Sequence, residues 1–173
     1  MSTLRLLAVA LGSALIGFGL SQVKAQADQA PSPVEFINRA AISGIYEVEA
    51  ARMALDKAQG ADVKSFAATM IKDHTEAGEE LKAVAGDFPV PTALDSAHQA
   101  LIDELSAATS QAFDEIYWRQ QSEAHKEAVS LFTEFSTEGE NGAVKGFAAK
   151  VLPVLQHHRE MIGNFKPEPA SNE

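Results

Sequence analysis

The chain has 173 residues, five histidines and no cysteine, and its 14 Lys and Arg against 24 Asp and Glu give a net charge of −10. Without cysteine, disulfide scaffolds, thiolate zinc and iron–sulfur sites, covalent c-type haem and cysteine nucleophiles are excluded, and the acidic balance argues against nucleic acid and anionic lipid surfaces as partners. Hydrophobic residues at 46% and charged residues at 22% fit one globular domain with a sizeable core.

Residues 1–27 read as a signal peptide. A short basic start with Arg5 precedes the apolar run 6–20, and Ala25-Gln26-Ala27 is a small-x-small cleavage pattern before Asp28. The apolar run, about 15 residues, is short of the roughly 20 that a spanning helix needs, so cleavage is expected rather than a retained anchor. The mature chain then has 146 residues and a net charge of −12. No later run is long and apolar enough to span a bilayer, and no series of alternating ten-residue segments suggests an outer-membrane barrel. The expectation is a soluble exported protein, periplasmic or extracellular.

Residues 28–33 read as a linker and 167–173 as a disordered polar tail, with one helical domain over 34–166 between them. Ala, Glu, Lys, Leu and Gln dominate that domain, a composition that favours helix. Helix one is predicted over 32–59, with Ser32 as N-cap, Pro33 at the first helical position and Glu35 completing a capping box. Its inner rows are Phe36, Ala40, Gly44, Glu47, Ala51 and Ala54, and Ile37, Ala41, Ile45, Val48 and Leu55. Helix two is predicted over 61–85, with Asp62 as its cap and Val63, Phe66, Ala67, Met70, His74 and Leu81 inside; Gly86 and Pro89 stop it. After the break at Phe88-Pro89-Val90-Pro91 a shorter helix is predicted over 93–108. Helix three, over 110–136, turns Phe113, Tyr117, Gln120, Gln121, Ala124, Ala128, Leu131 and Phe135 inward. Helix four, over 143–165, does the same with Val144, Phe147, Ala148, Val151, Leu155 and His158. Pro153 lies inside it and should kink it or leave a carbonyl unpaired.

Long helices of this size span roughly 35–42 Å. Two short-turn hairpins joined by a longer segment with its own helix describe an all-α, ferritin-like four-helix bundle with a short extra helix between helices two and three.

Ionisable residues on inner faces are the informative ones, because a buried charge needs a partner or a metal. Glu47, His74, His125 and His158 are such residues, one from each long helix. Counted from the turn near Gly60, Glu47 lies 13 residues before it and His74 14 after it, at one level. Counted from the second turn, His125 and His158 differ in depth by about five residues, roughly 7 Å, a gap that the N-terminal lean of helical side chains narrows. Imidazole and carboxylate ligands suit Fe, Mn, Zn or Cu. The alternative is a buried His–Glu hydrogen-bond network that fixes helix register.

His157 should point to solvent. Asp95 and His98 read as capping on the connector. Tyr117 is expected to be a core tyrosine with a bonded hydroxyl, while Asp114 is too far from His125 to share its site and should bond near His158 or at an end of the bundle. Met70 and Met161 flank His74 and His158 at helical spacing, which allows copper or non-covalent haem ligation but more often means packing. No triad, phosphate loop, HExxH or EF-hand loop is present.

Several motifs together carry a family resemblance. They are Ala40-Ala41 with Gly44 and Glu47, Ala67-x-x-Met70-x-x-Asp73-His74, Phe113-Asp114-x-x-Tyr117, His125, and Leu152-Pro153 with Leu155 followed by His158. The chain resembles a widespread bacterial family of secreted ferritin-like helical proteins, the domain of unknown function numbered 4142. The resemblance implies a ferritin-like fold, an extracytoplasmic location and no established activity. It marks the residues that the helical faces select, Glu47, His74, His125 and His158, as candidate metal ligands, with Asp73, Asp114 and Tyr117 around them. Unlike di-iron ferritins, neither helix two nor helix four carries Glu-x-x-His, which speaks against ferroxidase chemistry.

Three functional readings stand side by side. The first is a non-enzymatic, stress-related binding protein holding one transition-metal ion. The second is a metal-dependent oxidase or reactive-oxygen scavenger at the same site. The third is a structural envelope protein with a register-locking polar network, working with a protein partner or a second copy of itself.

Overall fold

The computed structural model describes residues 30–164, in which five helices and no strand occur. The signal-peptide and tail readings lie outside the described residues. Four long helices and one short one follow in chain order: α1 Pro33–Lys57, α2 Ala61–Val84, α3 Ser96–Ala107, α4 Ser110–Glu138 and α5 Gly142–Asn164. The all-α expectation is met. Among the described residues no helix is long and apolar enough to cross a membrane.

Local chemistry explains the helix ends. The Ser32 hydroxyl accepts from Glu35 N at 3.2 Å, and Pro33 opens α1 as predicted. The helix closes at Lys57 because Ala58 turns extended, two residues before the expected end. Lys57 Nζ then donates to the carbonyls of Leu105, Ser106 and Ala108, tying the end of α1 to the end of α3. A cation on those final carbonyls also complements the helix dipole.

Asp62 does not cap α2. The N-cap is Gly60, which has no side chain to offer, and the cap comes from another helix: Asp114 of α4 accepts from Gly60 N at 2.8 Å and from Gln59 N at 3.2 Å. Gly86, in the left-handed region at φ 59°, follows α2, as its sequence position suggested. The short helix starts at Ser96 rather than 93, because Asp95 is its cap and accepts from His98 N at 2.8 Å. Asn141 caps α5 by accepting from Ala143 N and Val144 N. That helix runs unbroken through Pro153. Pro153 and Ala149, whose carbonyl loses its N–H partner, are both exposed, so water can take up the lost bond.

α1 pairs with α2 and α4 with α5; α1 also lies against α4, and α2 against α5, while α3 packs on α1 and α4. The interior divides into two apolar clusters. One holds Phe36 and Ile37 of α1, Leu81 of α2, Phe132 and Phe135 of α4, and Phe147 and Leu155 of α5. Phe36 anchors it, stacked on Phe135 with ring centroids 4.1 Å apart and edge-on to Phe132 at 4.9 Å. The other holds Tyr46 and Ala50 of α1, Phe66 and Met70 of α2, Leu105 of α3, and Phe113 and Tyr117 of α4, with Met161 and Ile162 of α5 packed against it. On each long helix the residue between the two clusters is ionisable: Glu47, His74, His125 and His158. The fold therefore carries a polar layer at mid-height.

Candidate metal centre

The four residues singled out by their helical faces are all buried, and the structure brings them together. Glu47 Oε2 lies 2.8 Å from His74 Nδ1, and Glu47 Oε1 lies 3.3 Å from His125 Nδ1. His125 Nε2 lies 3.2 Å from His158 Nδ1, and His158 Nε2 lies 3.0 Å from Asp73 Oδ2. The depth difference expected between His125 and His158 is thus fully closed. The three imidazoles form a near-regular triangle, with ring centroids 5.6, 5.4 and 5.3 Å apart. Each offers a ring nitrogen within 4.8 Å of those of the other two.

The partners of each ring assign its protons. His125 Nδ1 faces the Gln121 carbonyl at 3.0 Å as well as Glu47, and both are acceptors, so Nδ1 carries the proton. His158 Nε2 faces a carboxylate and carries its proton there. His125 Nε2 and His158 Nδ1 then meet as two lone pairs. His74 Nδ1 donates to Glu47, which leaves Nε2 as the free end of that ring, buried and without a hydrogen-bond partner among the described residues.

The electrostatics agree. Burial pushes His125 down to about 4, outweighing the pull of Glu47, and pushes His158 down despite its bond to Asp73. An extra proton between the two facing nitrogens is therefore disfavoured near neutral pH. Burial would raise the Glu47 carboxyl, but His74 first and then His125 more than offset it, holding the group at about 2. Asp73 is also held down, because bonds from His158 and Lys72 outweigh its partial burial.

The remaining expected residues fall in different places. Asp114 sits at the α1–α2 turn, the end-of-bundle alternative. Tyr117 is buried, but its hydroxyl has no partner among the described residues, against the expectation of a bonded core tyrosine. Burial, with Glu47 nearby, raises its pKa. The tyrosine that does bond is Tyr46, whose hydroxyl donates to Gln120 Oε1 at 2.8 Å; Gln120 Nε2 in turn donates to Leu101 O and Glu104 Oε2. Sequence reasoning passed over Tyr46, Gln120 and the Gln121 carbonyl. Two adjacent amides in the inner row of α4 were the available signal. Met70 is packed in the core, His157 is exposed, and His98 bonds Asp95, as their spacing suggested.

None of the curated proteins compared with the chain matches it. Two solved structures share its fold. One, "CopM in the Cu(II)-bound form", is 22% identical, covers 78% of this chain and 95% of its own, and superposes with a TM-score of 0.66. The other, a DUF305 fragment from Deinococcus radiodurans, is 16% identical with the same coverages and a TM-score of 0.67. The family model described as Domain of unknown function (DUF4142) matches residues 19–165, nearly the whole chain, and the chain belongs to that family.

Proposed function

We propose that this protein is an exported, ferritin-like four-helix bundle that binds one transition-metal ion through His74, His125 and His158. One observation carries the reading: every outward ring nitrogen of the three histidines faces an oxygen acceptor, and each ring offers a nitrogen within 4.8 Å of those of the other two. Histidine ligands of metals characteristically donate their other N–H to a carboxylate or backbone carbonyl, which fixes tautomer and ring orientation. Glu47, the Gln121 carbonyl and Asp73 fill that role here. Glu47, a candidate ligand by sequence, serves better as the group that orients His74 and His125, since both its oxygens point at ring N–H groups.

The 3.2 Å separation of His125 Nε2 and His158 Nδ1 also suits coordination. Metal–nitrogen bonds of about 2.0 Å in a tetrahedral site put neighbouring nitrogens about 3.3 Å apart. An all-imidazole set favours Cu and Zn, and Fe after them, over Mn, and copper(II) stands highest in affinity among the divalent ions. A copper-bound neighbour with the same fold supports that order. Three protein ligands would leave a position for water or substrate, which keeps an oxidase or scavenger role as the second reading. The register-lock reading draws on the chain of contacts joining α1, α2, α4 and α5. It leaves His74 Nε2 buried without a hydrogen-bond partner, a costly arrangement for a purely structural network.

The test is metal content. Residues 28–173, exported and purified without a tag, should carry about one equivalent of copper or zinc by elemental mass spectrometry. The double variant His74→Ala/His158→Ala should carry none. A wild-type protein that stays empty after challenge with Fe(II), Mn(II), Zn(II) and Cu(II) would overturn the proposal in favour of the register lock. Turnover of peroxide or Fe(II) by the loaded protein would establish the enzymatic reading; a bound but inert metal would remove it.

A further inference from the structure

The three imidazoles are not equally remote from solvent. His125 and His158 are 0% exposed and His74 is 8% exposed. His74 and Glu47 also line a cleft of about 350 Å³ whose walls come from α1, α2, α4, α5 and the Val90-Pro91-Thr92 segment. Its deeper walls are apolar, and the α1–α2 sides are made of small residues, Ala40, Ser43 and Gly44 facing Ala77 and Gly78.

The two glycines are the telling feature. Glycine inside a helix weakens it relative to alanine, so an interior glycine usually serves a close approach of another chain segment. Gly44 and Gly78 serve none: a Cβ built on either meets no atom within 4 Å. Both stand over open space, and they line the same cleft as Glu47 and His74, the histidine whose Nε2 is buried without a hydrogen-bond partner.

We propose that this cleft is the route by which the metal ion enters and leaves, with Glu47 supplying the attracting charge at its floor and His74 the first nitrogen met. The proposal rests on the metal-site reading above. Substituting Gly44→Leu or Gly78→Leu would fill the passage without replacing any of the groups that hold the ion. An obstruction on a path slows arrival and departure by the same factor, so the equilibrium constant stays put. Gly44→Ala and Gly78→Ala serve as controls, since a methyl group leaves the passage open.

The experiment has two arms, both on residues 28–173. In the first, Zn(II) is mixed with metal-free protein in a stopped-flow instrument, and release is followed with a chelator. Each leucine variant should slow both rates by about tenfold or more, with Kd within about twofold of wild type. The alanine variants should match wild type. In the second, metal-free protein is treated with diethyl pyrocarbonate, and acylated histidines are mapped by mass spectrometry. His74 should react before His125 and His158, and the leucines should slow His74 without affecting exposed His157. Unchanged acylation of His74 in both leucine variants, or unchanged Zn(II) rates, overturns the route. A wild type that takes up no Zn(II) while its His74 acylation remains leucine-sensitive overturns the metal reading instead, and with it the ion as the traffic of the cleft.

Discussion

Replacing Glu47 by glutamine separates the two roles that a buried carboxylate among three histidines can have. The amide keeps the shape and one oxygen acceptor, so His74 Nδ1, now 2.8 Å from Glu47 Oε2, retains a partner. The NH₂ end would face His125 Nδ1, but that nitrogen also has the Gln121 carbonyl at 3.0 Å and does not lose its acceptor. What disappears is a full negative charge 1% exposed to solvent. If Glu47 orients metal-binding imidazoles, its removal should weaken metal affinity by about 10–100-fold, or about 1.4–2.7 kcal/mol. The metal-free protein should also lose stability, because the depressed Glu47 carboxyl shows that the fold favours the anion there. If the cluster only locks register, breaking a buried pair should cost about 3–5 kcal/mol of stability. Chelator-competition titration with Cu(II) or Zn(II) gives the first quantity, and urea unfolding in EDTA gives the second. Unchanged affinity together with a loss of several kcal/mol in the metal-free protein would refute the orienting role.

Three further outcomes are expected. Asp114→Ala removes the side-chain acceptor of Gln59 N and Gly60 N at the α1–α2 turn, and should lower stability by about 1 kcal/mol without altering metal affinity; altered affinity would mean that the turn is coupled to the site. Phe36→Ala leaves a cavity against Phe132, Phe135 and Phe147 and should cost about 3–5 kcal/mol in urea unfolding, so a loss under about 1 kcal/mol would contradict the packing described. The metal-free protein should lose stability on acidification. His125 has a folded pKa of about 4, below the ordinary 6.5, so the unfolded chain takes up its proton first as pH falls between those values. The loss over that window is on the order of 3 kcal/mol for His125, and the downward shift of His158 acts in the same direction. Below it the depressed Glu47, at about 2 against the ordinary 4.5, extends the decline. Urea unfolding across that pH range checks the sign, and flat or rising stability on acidification would contradict it.

The sequence by itself determined the helices, most of their inward faces (Leu55, expected inside, is exposed, and the buried Tyr46 was missed) and one inner ionisable residue on each long helix. These depend on a 3.6-residue period and on capping chemistry within a few residues, which are local properties of the chain. It also told His157 from His158, because neighbours on a helix point about 100° apart. Only the tertiary structure decided what those residues do to one another. The axial slide of α5 against α4, set by large side chains such as Phe132 and Phe147 meeting across the interface, brings His158 beside His125 despite their unequal distances from the turn. Asp114 accepts from Gly60 N, 54 residues before it in sequence, and Asp73 meets His158 across the α2–α5 contact, neither of which has a local signature. The proton positions follow last of all. Each ring's tautomer is fixed by which oxygen stands at its outer edge, and that is known only when the helices have been set side by side.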